Sequence, residues 1–356
     1  MRILVAAAGT GGHIYPALAI IDKFMEHDKN TKVIFVGTTN RMEKDIVPKL
    51  GIDYRAIEIY GLTKNIVNDI KDLYLINKDI KKVKKIIQDE KIDVVLGIGG
   101  YVTYPVIKAA YKLNIPIFIH EQNALPGKVN KMTEKYANLI GVSFEESKKY
   151  FKNKNVFLSG NPTGDRALKI PKVSKKSIGF DENKKLIVVV AGSLGSSTLS
   201  QKLKEYLKQV KNKDYQILYI TGKNIYDDFI KDEYPSNVKI VPYFENLPGI
   251  LKSADLLITR AGASTIAEIE SLKIPAIFIP SPYVANNHQY YNAKSLKDMN
   301  CAEFIEEESL DVDKLSNMVD MMLKNKDVYV DNLKKLKNID SSELIYNKIK
   351  ELVNNE

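Results

Sequence analysis

The sequence predicts an α/β protein made of two Rossmann-like domains. Three observations carry that expectation. Short apolar runs alternate with helical patterns along the whole chain, the mark of parallel α/β architecture. With 356 residues, the chain exceeds one typical hydrophobic core. The pattern also starts twice: "ILVAAAGTGGH", from Ile3, and "LIVVVAGSLGSS", from Leu186, are each an apolar strand, a glycine-containing turn and a helix start.

Taken in order, the strand candidates of the first half are "RILVAAA", "KVIFVG", "DVVLGIGG", "IPIFIHEQ", "NLIGVS" and "VFLSGNP". Those of the second are "KLIVVVAGS", "YQILYITG", "VKIVPYF", "DLLITRAG", "IPAIFIPS" and "AEFIEE". Gly160, Pro162, Gly164 and Pro171 interrupt regular structure in "SGNPTGDRALKIPK", which sets the expected boundary. The expected domains are therefore 1–161 and 162–340, with "SSELIYNKIKELVNNE" closing the chain as an amphipathic helix over 341–356. Ligands of such sheets bind at the carboxyl ends of the strands, so two facing domains would hold a substrate in the cleft they form.

Composition narrows the class. Hydrophobic residues at 44% and charged residues at 27% describe a soluble globular protein. Cys301, the single cysteine, has no partner for a disulfide and suits a reducing compartment. No apolar run approaches the ~20 residues that span a bilayer. The apolar stretch after Arg2 is too short for a secretory signal and reads as the first strand. Residues 1–160 hold 25 Lys and Arg against 17 Asp and Glu, a net +8 of the chain's formal +9, leaving +1 for residues 161–356. A basic front half suits an anionic partner (a membrane surface, a polyphosphate or nucleic acid) or is a solvated lysine surface.

"GTGGHIYPALAI", from Gly9, fails as a dinucleotide fingerprint. A GxGxxG register from Gly9 needs glycine where Ile14 stands, and "FVGTTN" after the second strand offers no acid for a ribose. What remains is a turn whose backbone N–H groups, at a helix start, hold an anion. Such a turn has no need of a histidine, yet His13 stands there. A neutral imidazole can take a proton, so a general base is one reading and a capping or packing ring is the other. Of the four histidines, His13, His120 and His288 fall at strand ends or helix starts and His27 at a polar helix end. None pairs at metal-ligand spacing, and nothing in the sequence calls for a metal. Asp311 and Asp313, in "DVD", read as surface capping ahead of a helix.

In the second domain "AGSLGSS" repeats the anion cradle, with Ser193 among its donors. "TRAGASTIAEI" sets Gly262, Ala263, Ser264 and Thr265 at a helix start with Glu268 one turn in. Thr265 and Glu268, three apart, read as a capping box. The same residues also read as a small-residue approach to a ligand, with Glu268 accepting hydrogen bonds from ribose hydroxyls. The residues alone leave both open.

Taken together, "GTGGHIYPALAI", "GTTNRMEKDIVPKLG", "VVLGIGGYV", "HEQNALPGKVNK", "LSGNP", "AGSLGS", "TRAGASTIAEI" and "NHQYYNA", in that order, resemble the MurG family over almost the whole chain. "GTGGH" is shared with other lipid-directed glycosyltransferases, whereas "RMExxxVP" with "GGYV" and "HEQN" is highly specific. The resemblance implies a GT-B fold and a metal-independent, inverting transfer of N-acetylglucosamine in peptidoglycan synthesis, lipid I to lipid II. The donor is UDP-N-acetylglucosamine, on the second domain. The acceptor is undecaprenyl-diphosphate-linked muramoyl-pentapeptide, on the first. The implied setting is peripheral, on the cytoplasmic face of the cell membrane, with no cofactor and no nucleic acid. A diacylglycerol glycosyltransferase of the same fold and a non-catalytic nucleotide-sugar-binding protein are the alternatives.

Roles at matching positions follow from the resemblance. His13 is the base, with Glu121 of "HEQN" its rival. Thr10, Gly11, Gly12 and Asn123 lie near the donor sugar and acceptor. Ser193 contacts the diphosphate, and the backbone of Phe244 meets the uracil. Ala263, Ser264, Thr265, Ile266, Ala267 and Glu268 form the donor-binding helix start, Glu268 on the ribose, and Gln289 reads sugar hydroxyls. Two departures stand out. Where the family has the arginine of GNPxR this chain has Gly164, and Arg166, two residues on, is the candidate replacement. "GLTKN" at 61–65 lacks the usual Gly/Arg/Lys-rich character.

One segment bears on the membrane. Read as a helix, residues 65–87 put Ile66, Ile70, Leu73, Ile76, Ile80, Val83 and Ile87 on a buried stripe. Lys71, Lys78, Lys82 and Lys85 form a second stripe beside it, with Val67, Tyr74 and Leu75 alongside. Lysines flanking exposed apolar side chains suit a surface resting on anionic headgroups.

Overall fold

A computed structural model describes residues 1–58, 66–190, 197–336 and 339–354; for residues 66–74, 197, 198 and 285 it describes the backbone alone. The chain divides into two compact units, Met1–Asp165 with Ile339–Glu356, and Arg166–Asn338.

Unit 1 is built on seven strands: β1 (Arg2–Ala7), β2 (Lys32–Thr38), β3 (Asp53–Ile57), β4 (Val94–Gly99), β5 (Ile117–Glu121), β6 (Leu139–Val142) and β7 (Val156–Leu158). They pair in parallel in the order β3-β2-β1-β4-β5-β6-β7. Strand β1 lies inside the sheet, between β2 and β4, with Ile3 opposite both Val33 and Val94. Its alternate residues serve two cores: Ile3 and Val5 pack with Ile14, Leu18 and Phe24, whereas Leu4 and Ala6 pack with Val83, Ile87 and Val106. A strand buried on both faces has no polar side to display, hence the unbroken "ILVAAA".

Between these strands run α1 (Gly11–His27), α2 (Glu43–Ile46), α3 (Ile66–Asp89), α4 (Thr103–Lys112) and α5 (Lys128–Thr133), and α6 (Thr163–Lys169) runs across the division into unit 2. Ile80, Val83 and Ile87 of α3 are buried and Ile76 packs against them, as the stripe predicts. The side chains of Ile66, Val67, Ile70, Lys71, Leu73 and Tyr74, and the segment "GLTKN", lie outside the described residues.

Unit 2 repeats the plan with β8 (Lys185–Val190), β9 (Tyr215–Ile220), β10 (Val238–Val241), β11 (Leu256–Thr259), β12 (Ala276–Phe278) and β13 (Glu303–Phe304). The order is β10-β9-β8-β11-β12-β13, again parallel throughout. Its helices are α7 (Ser197–Gln209), α8 (Tyr226–Phe229), α9 (Leu247–Leu251), α10 (Ala263–Leu272), α11 (His288–Asp298), α12 (Val312–Lys324) and α13 (Lys326–Lys335). Asp311 caps α12, its carboxylate accepting from the Lys314 N–H at 2.7 Å.

The last helix, α14 (Ser341–Asn354), belongs to unit 1. Ile345, Tyr346 and Ile349 complete the core under α1, with Tyr346 edge-on to Phe24 and stacked on His27.

All twelve apolar runs are strands. The sequence reading misses β3, the outermost strand of unit 1, whose "DYRAI" alternates polar and apolar residues. An edge strand is covered on one side only, so its pattern resembles a loop more than a core.

Candidate active site

In an open parallel sheet the binding crevice lies where neighbouring strands send their chains to opposite sides. In unit 1 that point falls between β1 and β4. The turn after β1 brings Thr10, Gly11, Gly12 and His13 to the start of α1. Thr10 is the extended N-cap and its side chain makes no cap bond, so the first N–H groups of the helix point outward without an intrahelical acceptor.

His13 is held on two sides. Its Nδ1 lies 2.8 Å from the carbonyl oxygen of Ala8. A carbonyl only accepts, so the proton is on Nδ1 and the lone pair is on Nε2. The ring sits against the end of β4. A Cβ added at Gly99 would come within 2.5 Å of the ring Cδ2 and 2.8 Å of Nε2. Gly100 is equally constrained, at φ +87°, since its Cβ would meet the Ala8 oxygen at 2.6 Å. Gly99 is thus the wall of the histidine's slot, and Gly100 leaves room for the Ala8 carbonyl that the ring donates to.

The "HEQN" segment ends β5, next to β4 in the sheet. His120 is fully buried, and burial pushes its imidazole down to about 4, so it stays neutral. Its Nε2–H donates to Gly160 O at 3.0 Å, and the Gln122 amide donates to its Nδ1 at 3.0 Å and to Ile98 O at 2.7 Å. The Glu121 carboxylate, also buried, is fully subscribed. Oε1 accepts from the Asn123 N–H (2.9 Å) and Nδ2 (3.2 Å), and Oε2 from the Gly127 N–H (2.9 Å) and Asn130 Nδ2 (2.8 Å). A carboxylate with four donors holds a loop shut. To act as a base it would have to give up hydrogen bonds to that loop.

In unit 2 the crevice point lies between β8 and β11. Ser193, in the turn after β8, is outside the described residues. After β11 the chain enters α10 through Gly262, the extended N-cap. Thr265 is therefore inside the helix, not at its cap, and the capping box with Glu268 does not form. Ala263, Ile266 and Ala267 are buried in the fold, and Ser264, Thr265 and Glu268 are half-buried. Burial pushes the Glu268 carboxyl up to about 7, and among the described residues no donor or cation pairs with it.

At the same sheet edge, Gln289 starts α11, and its Oε1 accepts from the Ser281 N–H at 2.8 Å, which aims the amide NH₂. Phe244 lies half-buried in the loop between β10 and α9. Arg260 went unread in the sequence. Buried after β11, it pairs with Glu307 at 2.6 Å and donates to Ile279 O at 2.9 Å, tying together the chain ends after β11 and β12. Arg166 and Gly164 share α6, two residues apart, so side chains at the two positions leave the helix about 200° apart. Among the described residues no group of three or more His, Cys, Asp or Glu could hold a metal ion.

With this geometry in view, the comparisons with known proteins agree on a family. Residues 3–142 match the glycosyltransferase family 28 N-terminal domain and residues 186–347 its C-terminal domain. The chain is 41% identical, over 99% of its length and 100% of theirs, to the "UDP-N-acetylglucosamine--N-acetylmuramyl-(pentapeptide) pyrophosphoryl-undecaprenol N-acetylglucosamine transferase" of Thermoanaerobacter sp. (strain X514). It is 38% identical to the protein of the same name from Bacillus licheniformis, over 99% of each. Among solved structures, Acinetobacter baumannii MurG superposes with a TM-score of 0.79 at 24% identity, covering 99% of this chain and 100% of that one. A UDP-GlcNAc 2-epimerase from Methanocaldococcus jannaschii shares the fold at a TM-score of 0.67 and 17% identity, over 98% and 99% of the two chains.

Proposed function

Because this chain belongs to the MurG family of glycosyltransferases, we propose that it moves N-acetylglucosamine from UDP-N-acetylglucosamine to the lipid-linked muramoyl-pentapeptide of peptidoglycan synthesis. It is a hexosyltransferase of GT-B fold. Unit 2 binds the donor and unit 1 the acceptor. The acceptor hydroxyl oxygen attacks the anomeric carbon, the bond from that carbon to the diphosphate oxygen breaks, and UDP leaves from the opposite side, so the configuration inverts. The hydroxyl proton goes to Nε2 of His13. Backbone N–H groups at helix starts offset the charge developing on the leaving diphosphate.

The single observation that carries this assignment is the slot of His13. Its Nδ1–H is spent on Ala8 O and its Nε2 is left as the acceptor, at the crevice point of the sheet. Glu121 serves as the organiser of the loop that carries Asn123. On the donor side, Glu268 has the chemistry of a ribose acceptor, a desolvated carboxyl with no donor among the described residues, and Gln289 offers its NH₂ to the sugar. Ser193 and the Phe244 backbone complete the nucleotide contacts by family position.

The acceptor's lipid anchor implies an anionic membrane surface as a partner, and the cytoplasmic face as the place of work. No helix of the described residues is long and apolar enough to cross a membrane. Contact is instead made by the face around α3 and α4. Lys78 and Lys85 are exposed on α3, with Lys85 paired to Asp89, while Lys82 donates to Ala56 O. On α4, Tyr111 is 52% exposed and packs on Tyr136, under the ammonium of Lys108. Aromatic rings flanked by lysines suit the headgroup layer.

The test is release of UDP from UDP-N-acetylglucosamine with and without the lipid-linked acceptor, in the presence of a chelator. Acceptor-dependent release supports the proposal. Release driven by diacylglycerol instead makes this a different lipid glycosyltransferase, and donor binding without turnover on any lipid makes it a binding protein.

A further inference from the structure

We propose that Glu43 is a positioning residue for the base, acting on His13 through the one peptide group that joins Ala8 to Gly9. The proposal rests on the reading of His13 as base. Glu43 opens α2, in "RMEKDIVP", and is completely buried. Its Oε1 accepts from the N–H of Thr38 at 3.0 Å and from the Thr38 hydroxyl at 2.6 Å, which anchors it to the end of β2. Its Oε2 accepts from the N–H of Gly9 at 3.3 Å. The carbonyl on the other edge of that same peptide, Ala8 O, is the acceptor of the His13 Nδ1–H at 2.8 Å. Carboxylate, peptide and imidazole thus form one line of hydrogen bonds.

Two consequences follow. A peptide group is rigid and planar, so fixing its N–H fixes the direction of its C=O. Gly9 sits at φ +105°, a conformation open to glycine, and without an anchor this peptide has freedom to swing. The second consequence is electrostatic. A carboxylate accepting the N–H polarises the amide and strengthens its oxygen as an acceptor. That strengthens the hold on the Nδ1–H while Nε2 takes the acceptor's proton. The negative charge reaches the ring without touching it.

Glu43 has the features of a charge kept for a purpose. Among the described residues no Lys, Arg or His forms an ion pair with it, and a buried carboxylate without a cation is costly to the fold. Its surroundings are shaped to fit: a Cβ at Gly37 would come within 2.7 Å of its Cγ. Tyr54, which packs at the same point, donates its hydroxyl to Thr38 O at 2.6 Å, and burial with the charges of Glu43 and Asp45 keeps that phenol protonated.

A double-mutant cycle tests this, with kcat measured at saturating donor and lipid acceptor for the wild type, Glu43→Gln, His13→Ala and the double variant. Glu43→Gln should lower kcat by about tenfold while leaving the donor KM within about twofold. The double variant should be no slower than His13→Ala alone, because the relay has nothing left to act on. A near-normal kcat for Glu43→Gln, or the same loss repeated in the His13→Ala background, overturns the proposal. Undiminished turnover by His13→Ala alone instead overturns the base assignment. Nitrogen-15 spectra of the histidine rings give a readout independent of turnover. In the wild type His13 should show the Nδ1–H tautomer, and Glu43→Gln should shift it toward Nε2–H; an unmoved signal counts against the relay. If Glu43→Gln does not fold, the same cycle is run with Glu43→Asp, which keeps the charge but draws it back from the Gly9 N–H, with the same deciding outcomes.

Discussion

The two units solve the same architectural problem and treat their ionisable side chain in opposite ways. Each is a parallel sheet whose crevice point is flanked by a glycine turn and a helix start. In unit 1 the group there is His13, seated against Gly99 and hydrogen-bonded to Ala8. In unit 2 it is Glu268, desolvated and without a partner among the described residues. A base must be aimed before the substrate arrives, since misdirection costs rate. A binding carboxylate gains from being left wanting, because the ligand's hydroxyls then satisfy what the protein does not. In the roles proposed for His13 and Glu268, the same scaffold separates chemistry from recognition by how completely it pairs one side chain.

Removing the aimed group breaks the comparison most severely. His13→Ala should lower kcat by roughly 10²–10⁴, the usual worth of a general base, with donor KM little changed. Steady-state kinetics decide it. Glu121→Gln should show its damage in denaturant unfolding, by about 1–3 kcal/mol, because an amide offers one acceptor oxygen to four donors. If Glu121→Gln instead abolishes turnover while remaining stable, and His13→Ala does not, the base is Glu121.

Neutralising the unpaired group tests the other side. Glu268→Gln should raise the donor KM roughly 5–150-fold, the equivalent of about 1–3 kcal/mol for a lost charged hydrogen bond, with kcat at saturation nearly kept. The pH dependence has a definite sign. With its carboxyl at about 7 in the fold, wild-type donor affinity should weaken as pH falls below about 7 and the acid protonates; the glutamine variant should lack that slope. Stability runs the other way. A raised carboxyl pKa means that the folded state holds the proton more tightly than the unfolded one, so stability falls as pH rises through the interval up to about 7. Glu268→Gln should therefore be at least as stable as the wild type at pH 8, and a marked destabilisation there would return Glu268 to a structural role.

Gly99→Ala sharpens the contrast without deleting any functional group. The added methyl would sit 2.5 Å from Cδ2 of the His13 ring, so the ring must shift, and kcat should fall about tenfold or more with donor binding intact. The smallest expected effect concerns the membrane. Co-sedimentation with anionic liposomes should weaken when Lys71, Lys78, Lys82 and Lys85 are all changed to Glu, and the difference should shrink at high salt. Equal binding by both proteins removes α3 from the proposed surface.

The sequence exposes the strands that are buried on both faces, because nothing but apolar side chains fits there. It also exposes the turn with His13, since a histidine in a phosphate-type turn has no conformational reason to exist. It does not expose the "HEQN" lattice. His120 is satisfied by Gly160, forty residues away, and such bonds to distant backbone leave no periodic trace. The capping box failed for a related reason: the spacing of Thr265 and Glu268 matched, but the helix already starts after Gly262. Arg166 shows the limit of counting along a chain, where two residues of sequence are more than half a turn of helix. Glu43 was visible only as part of a pattern, and its bond to Gly9 appears when α2 folds back onto the turn.

The route of the chain has a consequence for how the protein is made. Unit 1 gives up its thread at Asp165 and takes it back at Ile339, and the Asp165 carboxylate accepts from both the N–H and the hydroxyl of Ser342. Along the chain, unit 2 is thus an insertion between two segments of unit 1 that Asp165 and Ser342 tie together. Ile345 and Ile349, which fill the floor beneath α1, come after the whole of unit 2 along the chain. Domains ordinarily mature in the order of their synthesis. Here unit 1 is completed only after unit 2: the sheet that carries His13 waits, its underside open, until α14 has been translated.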